Sequence, residues 1–173
     1  MGQAIRLIYE ANVDAWNRLK DSLVDVTNDE SNWRPVPQAN SINVIIRHLR
    51  IEAAWHVNSL RDGTPMPTIA APVVQEEIDA IPLDFAANLT ELTDYQSEYL
   101  TSLGASTLAT LRERTRAAYG EVGAAKEHFI AYHNATQLTM HCGQVRTLRN
   151  LYRKARGETA RFVPENPTYR RTE

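Results

Sequence analysis

The sequence predicts an all-α protein, a four-helix bundle with long connections between its helices. Four stretches carry apolar residues spaced three and four apart, which is the pattern of an amphipathic helix. No stretch alternates between apolar and polar residues in the way that a half-buried strand does. A chain of 173 residues suits one domain with a sizeable core. We therefore expect a single bundle domain over residues 1–160 and an irregular C-terminal tail over residues 161–173.

The first two predicted helices cover residues 3–28 and 41–61. The first has an apolar stripe, interrupted at Asn12, that consists of Ile5, Tyr9, Trp16, Leu19, Leu23 and Val26. The second has a stripe of Ile42, Ile45, Ile46, Leu49, Ala53, Val57 and Leu60. We expect its N-cap at Ser41 or Asn40, because a side-chain oxygen there can accept an unpaired backbone N–H. Residues 32–37 contain two prolines, which exclude a helix between these two.

The last two predicted helices cover residues 83–103 and 122–155. A proline-containing loop from Asp62 through Pro72 precedes the third helix, and Gly104 follows it. Between the third and fourth helices, the sequence of residues 104–121 is compatible with a short helix. The fourth helix should end at Gly157, because basic residues in its last turns complement the helix dipole, namely Arg153, Lys154 and Arg156.

Composition excludes several classes of partner. The formal charge is −2, so neither a nucleic-acid-binding surface nor attraction to an anionic membrane is indicated. No apolar run is long enough to span a bilayer, and the N-terminus lacks the pattern of a signal peptide. The single cysteine rules out an internal disulfide and fits a reducing compartment. We therefore expect a cytoplasmic protein.

The spacing of the histidines limits which of them can share a metal ion. The five are His48, His56, His128, His133 and His141. Eight residues separate His133 from His141, which is ~12 Å along a helix axis. Two ligands of one ion cannot lie that far apart, and the same objection separates His48 from His56. A metal site must therefore combine histidines from different helices or recruit other side chains.

His48 and His141 are the best candidates for such a site. Each lies beside the apolar stripe of its helix, where it can face the bundle interior. Gln137, one turn before His141, is a third donor through its amide oxygen, and Glu52, one turn after His48, can ligate, orient an imidazole or act as a base. The alternative is that these histidines are only hydrogen-bonded, as histidines on half-buried helix faces commonly are.

Other polar and small residues carry weaker signals. Cys142 points about 100° away from His141 around the helix, so we expect it to pack in the core. Gly143 inside a helix costs ~1 kcal/mol relative to alanine. A glycine at this position predicts the close approach of another backbone or of a ligand. Helix packing is the commoner of these two causes. Three arginines of the second helix are expected on a solvated face, namely Arg47, Arg50 and Arg61.

Several of these segments together resemble the DinB-like (DinB/YfiT) superfamily. They are Trp33-Arg34-Pro35, the helix start at Ser41-Ile42, His48-Leu49 with Glu52 and Trp55, and His141-Cys142-Gly143-Gln144-Val145 followed by Leu148-Arg149. The resemblance implies a four-helix bundle, commonly a homodimer. It also implies a divalent ion held by one histidine of the second helix and two of the last. Relatives include thiol-dependent transferases that use bacillithiol or mycothiol, and a maleylpyruvate isomerase.

By this resemblance His48 and His141 occupy two ligand positions, and Gln137 stands where the family has its middle histidine. An amide oxygen is a weaker and harder donor than imidazole, so it suits zinc or nickel poorly and manganese or magnesium better. The leading hypothesis is a thiol-dependent transferase with zinc, nickel or manganese at His48, Gln137 and His141. Glu52 is the one candidate catalytic residue. The alternative is a non-enzymatic bundle that binds a small ligand or a protein and keeps a degenerate metal site.

Overall fold

The computed structural model describes residues 2–65, 84–124 and 129–162 of the chain. Within these ranges the chain forms six helices and no strand, which confirms the predicted all-α class. The helices are α1 Gln3–Leu23, α2 Asn28–Asn32, α3 Ile42–Asp62, α4 Phe85–Ala105, α5 Leu108–Ala124 and α6 Phe129–Ala155. None of these helices is long and apolar enough to cross a membrane.

Two predicted helix boundaries are wrong. α1 ends at Leu23 and not at residue 28, because Asp25 adopts a φ of 61°, a left-handed conformation that an α-helix cannot contain. The chain then starts the short helix α2, whose N-cap Thr27 accepts the Glu30 N–H at 3.2 Å. The predicted start of the fourth long helix at residue 122 is also wrong, since residue 122 belongs to α5 and the last helix is Phe129–Ala155.

The predicted helix ends around α3 and α6 agree with the structure. Ser41 is the N-cap of α3, and its hydroxyl accepts the Val44 N–H at 3.3 Å. Gly63 ends α3 with a φ of 70°, which only glycine adopts without strain. Gly157, with a φ of 75°, follows the end of α6 in the same way.

Three sequence predictions fall wholly or mostly outside the described residues. They are the loop through Pro72, the tail 161–173 and His128. Only the first two tail residues are described. There the Asn150 side chain accepts the backbone N–H groups of Arg161 and Phe162, both at 3.0 Å, so the chain turns back along α6.

Four long helices, α1, α3, α4 and α6, form the bundle. α3 packs mainly against α4, and α1 mainly against α6. Side chains from all four helices meet in the main core, which includes Trp16, Leu19, Ile46, Leu92 and Leu138. Cys142 lies in the same core, buried as expected, and its thiol donates to the Arg18 carbonyl at 3.4 Å.

A network of buried amides crosses this bundle. Asn12, which interrupts the apolar stripe of α1, is 1% exposed and donates to the carbonyls of Ile8 and Ala131. Asn134 donates to the Asn12 side chain at 3.0 Å and exchanges two hydrogen bonds with Gln96 of α4. The polar break in the stripe therefore joins α1, α4 and α6 through satisfied hydrogen bonds.

A second buried polar group, here called the arginine cluster, consists of Arg149, Glu30 and the carbonyls of Ser22 and Val24. The Arg149 guanidinium donates to Glu30 Oε1 at 2.7 Å and to Oε2 at 3.3 Å. Its Nη1 donates to the two carbonyls at 2.9 and 2.8 Å, which satisfies the end of α1. Arg149 thus fastens α6 to the break between α1 and α2.

The arginines of α3 do not share one solvated face, which corrects the prediction. Arg47 is only 4% exposed, and Arg50 is mostly buried, paired with Glu91 of α4. Arg61 alone is well exposed, and it pairs with Asp62 and Glu98. The difference arises because α4 covers the side of α3 from which Arg50 projects.

Candidate functional site

Four of the five histidines meet in two pairs between α3 and α6. The rings of His48 and His141 have centroids 5.1 Å apart, and those of His56 and His133 lie 5.2 Å apart. Residue numbers increase from His48 to His56 along α3, while those of their partners decrease from His141 to His133 along α6. The two helices therefore run antiparallel at this contact. His56 lies two turns after His48, and His133 lies two turns before His141.

Between the two histidine pairs lie Glu52 of α3 and Gln137 of α6. Each is one helical turn from both histidines of its own helix, so the six side chains form three successive levels. We call this set the histidine ladder. The members from α3 are His48, Glu52 and His56, and those from α6 are His133, Gln137 and His141.

Burial sets the protonation of the ladder on the α3 side. It lowers the pKa of His48 to about 4, with smaller contributions from the neighbouring His141 and His133. It raises the pKa of Glu52 to about 7, since an ionised carboxylate loses hydration when buried. His48 Nε2 lies 3.5 Å from Glu52 Oε1. With the imidazole neutral at pH 7, this contact is not an ion pair.

His141 has one ring nitrogen fixed and the other available. Its Nδ1 lies 2.7 Å from Oε1 of Gln144, an acceptor, so Nδ1 carries the proton. Nε2 is then an unprotonated acceptor. Burial lowers the pKa of His141, so the ring stays neutral around pH 7. A neutral imidazole held by a hydrogen bond from its other nitrogen is the form that ligates metals.

Three buried acceptor atoms of the ladder have no hydrogen-bond partner among the described residues. They are Glu52 Oε2, Gln137 Oε1 and His141 Nε2; a fourth ladder atom, the ring nitrogen Nδ1 of His56, also has no partner there. Leaving a buried polar atom unpaired costs roughly 1–3 kcal/mol, so several on one contact between two helices indicate a bound group. All three atoms are electron-pair donors, which is what a cation or a proton donor needs.

These donors fit a divalent ion in type, although the described residues contain no group of three or more His, Cys, Asp or Glu side chains able to hold one. Imidazole nitrogen with amide or carboxylate oxygen suits manganese, and imidazole nitrogen with carboxylate oxygen also suits zinc. The predicted site residues His48 and His141 do face each other. Gln137 is engaged with His133, since its Nε2 lies 3.0 Å from His133 Nε2, but its Oε1 remains available.

Sequence reasoning missed His56 and His133 as members of the site. His56 is fully buried, and its Nε2 lies 3.1 Å from His133 Nδ1. The spacing argument correctly excluded each of them as a partner of the histidine on its own helix. One sequence signal could have found them. His56 lies eight residues after His48 and His133 lies eight residues before His141, so antiparallel packing that pairs His48 with His141 also pairs His56 with His133.

A surface cleft of about 600 Å³ is lined in part by Gln144, which is hydrogen-bonded to His141 of the ladder. Its other lining residues are Ala39, Asn40, Ile45, Met140, Gly143, Thr147 and Leu148. A Cβ atom built on Gly143 would meet nothing within 4 Å. Among the described residues nothing packs against this position, so the predicted close approach of another backbone is not seen there.

A family model described as mycothiol-S-transferase matches residues 13–154, which include the second half of α1, all of α3 and the whole histidine ladder. No curated protein and no solved structure matches the chain. The family model covers well over half of the chain, and the mycothiol-S-transferases are part of the superfamily that the sequence resembles. The chain therefore belongs to the mycothiol-S-transferase family of the DinB/YfiT-like superfamily.

Proposed function

We propose that the protein is a metal-dependent S-transferase that uses a low-molecular-weight thiol, mycothiol in the first place. The observation that carries the proposal is the set of unpaired buried acceptors on Glu52, Gln137 and His141, in a chain of the mycothiol-S-transferase family. A polar contact that only joined two helices would seldom leave three buried acceptors unsatisfied at one place.

In this proposal the divalent ion is held by His48, His141 and Gln137. His141 would contribute Nε2, since Gln144 engages Nδ1, and Gln137 would contribute Oε1. When bound, the ion lowers the pKa of a coordinated thiol and so supplies a thiolate at neutral pH. The pKa of His48, lowered to about 4, keeps that imidazole neutral and able to ligate well below pH 7, and burial lowers the pKa of His141 in the same direction.

Glu52 is the group that would accept the thiol proton. Its pKa of about 7 lets it take up and release a proton near neutral pH, and its Oε2 has no partner among the described residues. The thiol S–H bond breaks with its proton passing to Glu52. The sulfur then forms a bond to an electrophilic carbon of the second substrate, whose leaving group departs with the bonding electron pair.

The cleft beside Gln144 is the proposed site for the non-reacting part of the thiol. Asn40, Gln144 and Thr147 offer polar groups along its wall, and Gly143 lets a ligand approach the backbone of α6. Binding remote from the sulfur would orient the thiol towards His141. We also propose that the protein is cytoplasmic and that it forms a homodimer. Light scattering on the purified chain would test the dimer.

The test combines metal binding with thiol transfer. Untagged protein is analysed for metal and titrated with zinc, nickel and manganese, and transfer to a fluorogenic electrophile is followed with mycothiol, cysteine and glutathione. We expect about one ion per chain and transfer with mycothiol, both lost in His141→Ala. Absence of metal binding together with absence of transfer would overturn the proposal. Tyr132→Phe, on the exposed side of α6, is the matched control.

A second candidate is a non-enzymatic bundle that binds a small ligand. It is favoured by the lack, in the described part of the chain, of a group of three His, Cys, Asp or Glu side chains suited to a metal. Under this candidate Gln137→His creates metal affinity that the parent lacks. Under the transferase proposal the parent already binds, and the same change strengthens zinc binding, because imidazole is the better donor for zinc.

A further inference from the structure

The solvent-exposed side of α6 carries no charge over most of its length. All the exposed residues between Tyr132 and Leu151 are uncharged. The exposed side of α1 differs, since its charged side chains include four that are 61–62% exposed, namely Arg6, Glu10, Asp14 and Arg18. A solvated helix face is normally polar and charged, whereas the centre of a protein interface is depleted of charge. The exposed side of α6 therefore has the composition of an interface.

This side of α6 also exposes large apolar side chains. Tyr132 is 53% exposed, Met140 47% and Leu151 40%. They are three of the six large apolar side chains exposed on the described part of the chain, and all three lie on one helix. Apolar side chains gathered on one face mark a surface that another molecule covers.

Six of the exposed residues form a stripe along α6, which we call the α6 stripe. Successive members are four, four, three, four and four residues apart, and they are Tyr132, Thr136, Met140, Gly143, Thr147 and Leu151. This order of spacings is the same in both directions from the midpoint between His141 and Cys142. Thr139 and Gln144, the two other exposed residues, lie equally far from that midpoint.

The symmetry of the stripe suits a second copy of the same helix. When a second α6 is laid antiparallel on the first about that midpoint, each member of the stripe lies opposite another member. The opposed pairs are Tyr132 with Leu151, Thr136 with Thr147, and Met140 with Gly143. The Met140 side chain then lies opposite a residue that has no side chain, where it has room. A two-fold homodimer needs such self-complementarity, because each of its contacts occurs twice.

We propose that the α6 stripe is the interface of a homodimer in which α6 packs antiparallel against α6 of a second copy. This inference rests on the homodimer proposed above, and it adds the surface and the register. Each half of the stripe is a row of residues four apart, the kind of ridge that packs most commonly between helices. Met140, Gly143 and Thr147 also line the cleft, so the second copy lies beside the proposed thiol site.

Sedimentation velocity over a dilution series of the full chain tests the surface. Met140→Lys places a charge from each copy against the apolar centre of the interface. We expect the dissociation constant of the dimer to rise at least about 100-fold, because a buried charge without a partner is costly. The matched control is Thr101→Lys at an exposed position of α4, which should leave the dissociation constant unchanged. Circular dichroism and the melting temperature show that each variant folds.

Cross-linking tests the register. Chains carrying Thr136→Cys are mixed with chains carrying Thr147→Cys, left to exchange subunits and treated with a short bismaleimide. In the proposed register these two positions lie opposite each other, whereas the two copies of position 136 lie ~16 Å apart along the helix. We expect cross-linked dimer in the mixture and little in either variant alone. The parent, in which Cys142 is buried, is the control.

The outcomes separate this inference from the homodimer itself. A parent that stays monomeric at the highest concentration would overturn both, and would leave the α6 stripe to a different partner. A dimer that Met140→Lys does not weaken would overturn the proposed surface, while the homodimer would stand. Efficient cross-linking in one variant alone, with little in the mixture, would overturn the antiparallel register.

Discussion

Two clusters of buried polar side chains in this bundle differ in how completely their hydrogen bonds are satisfied. In the arginine cluster, all three guanidinium nitrogens of Arg149 have acceptors, and both Glu30 oxygens have donors. In the histidine ladder, three acceptors lack a partner among the described residues, although its side chains are at least half-buried. Both clusters join α6 to an earlier part of the chain.

The difference indicates what each cluster does. A satisfied buried network fixes the relative positions of helices and has nothing left to bind a ligand. An unsatisfied one lowers the stability of the protein alone and recovers free energy when something binds. We therefore assign the arginine cluster to stability and propose that the ladder binds a ligand. Substitutions in the two clusters should separate these two effects.

The largest expected effect is on the arginine cluster. Arg149→Met removes the charge partner of buried Glu30 and leaves the carbonyls of Ser22 and Val24 without a donor. We expect the free energy of unfolding to fall by about 3–5 kcal/mol, as measured by urea denaturation. The control Arg153→Met, on the more exposed side of α6, should cost less than about 1 kcal/mol. A comparable loss in both variants would contradict the assignment.

The opposite sign is expected in the ladder. Because the folded pKa of Glu52 is raised to about 7, the folded protein holds a proton that the unfolded chain releases above about pH 4.5. The burial of Glu52 therefore destabilises the fold increasingly as the pH rises from 4.5 to 7, and by its full amount above pH 7. Glu52→Gln should stabilise metal-free protein by about 2–3 kcal/mol at pH 8 and by almost nothing at pH 4.5.

The measurement is urea denaturation of parent and Glu52→Gln at both pH values with a chelator present. The lowered pKa values of His48 and His56 act in the other direction, destabilising the fold as the pH falls below 6.5, but they are common to both proteins and cancel in the difference. Glu10→Gln, on the exposed side of α1, is the control. A stabilisation that does not change between pH 4.5 and 8 would show that burial of the charge is not its cause.

The smallest expected effect concerns the cleft beside the ladder. Gly143→Ala should raise the free energy of unfolding by about 0.5–1 kcal/mol, because alanine favours the helix and its Cβ meets nothing within 4 Å. Thermal unfolding measures this gain, and affinity for the thiol should fall if the ligand approaches the backbone there. The comparison is Gly104→Ala in α4, where the added Cβ would lie 3.6 Å from the Tyr9 ring. A loss of stability in Gly143→Ala would argue against an open position.

The sequence by itself determined the all-α class, the bundle and the pairing of His48 with a histidine of a different helix. These follow from local rules, because apolar spacing reports helical periodicity and the rise per residue limits which ligands can share an ion. The N-cap at Ser41 and the end of α6 near Gly157 were also predictable from the sequence, because each depends only on neighbouring residues.

Only the tertiary structure decided the rest. The left-handed conformation of Asp25 ends α1 early, and α4 covers Arg50, which no periodicity along one helix can report. The antiparallel register of α3 and α6 brings His56 to His133 and leaves acceptors unpaired on Glu52, Gln137 and His141. Register depends on how whole helix surfaces pack against each other, so it emerges from side chains far apart in the sequence.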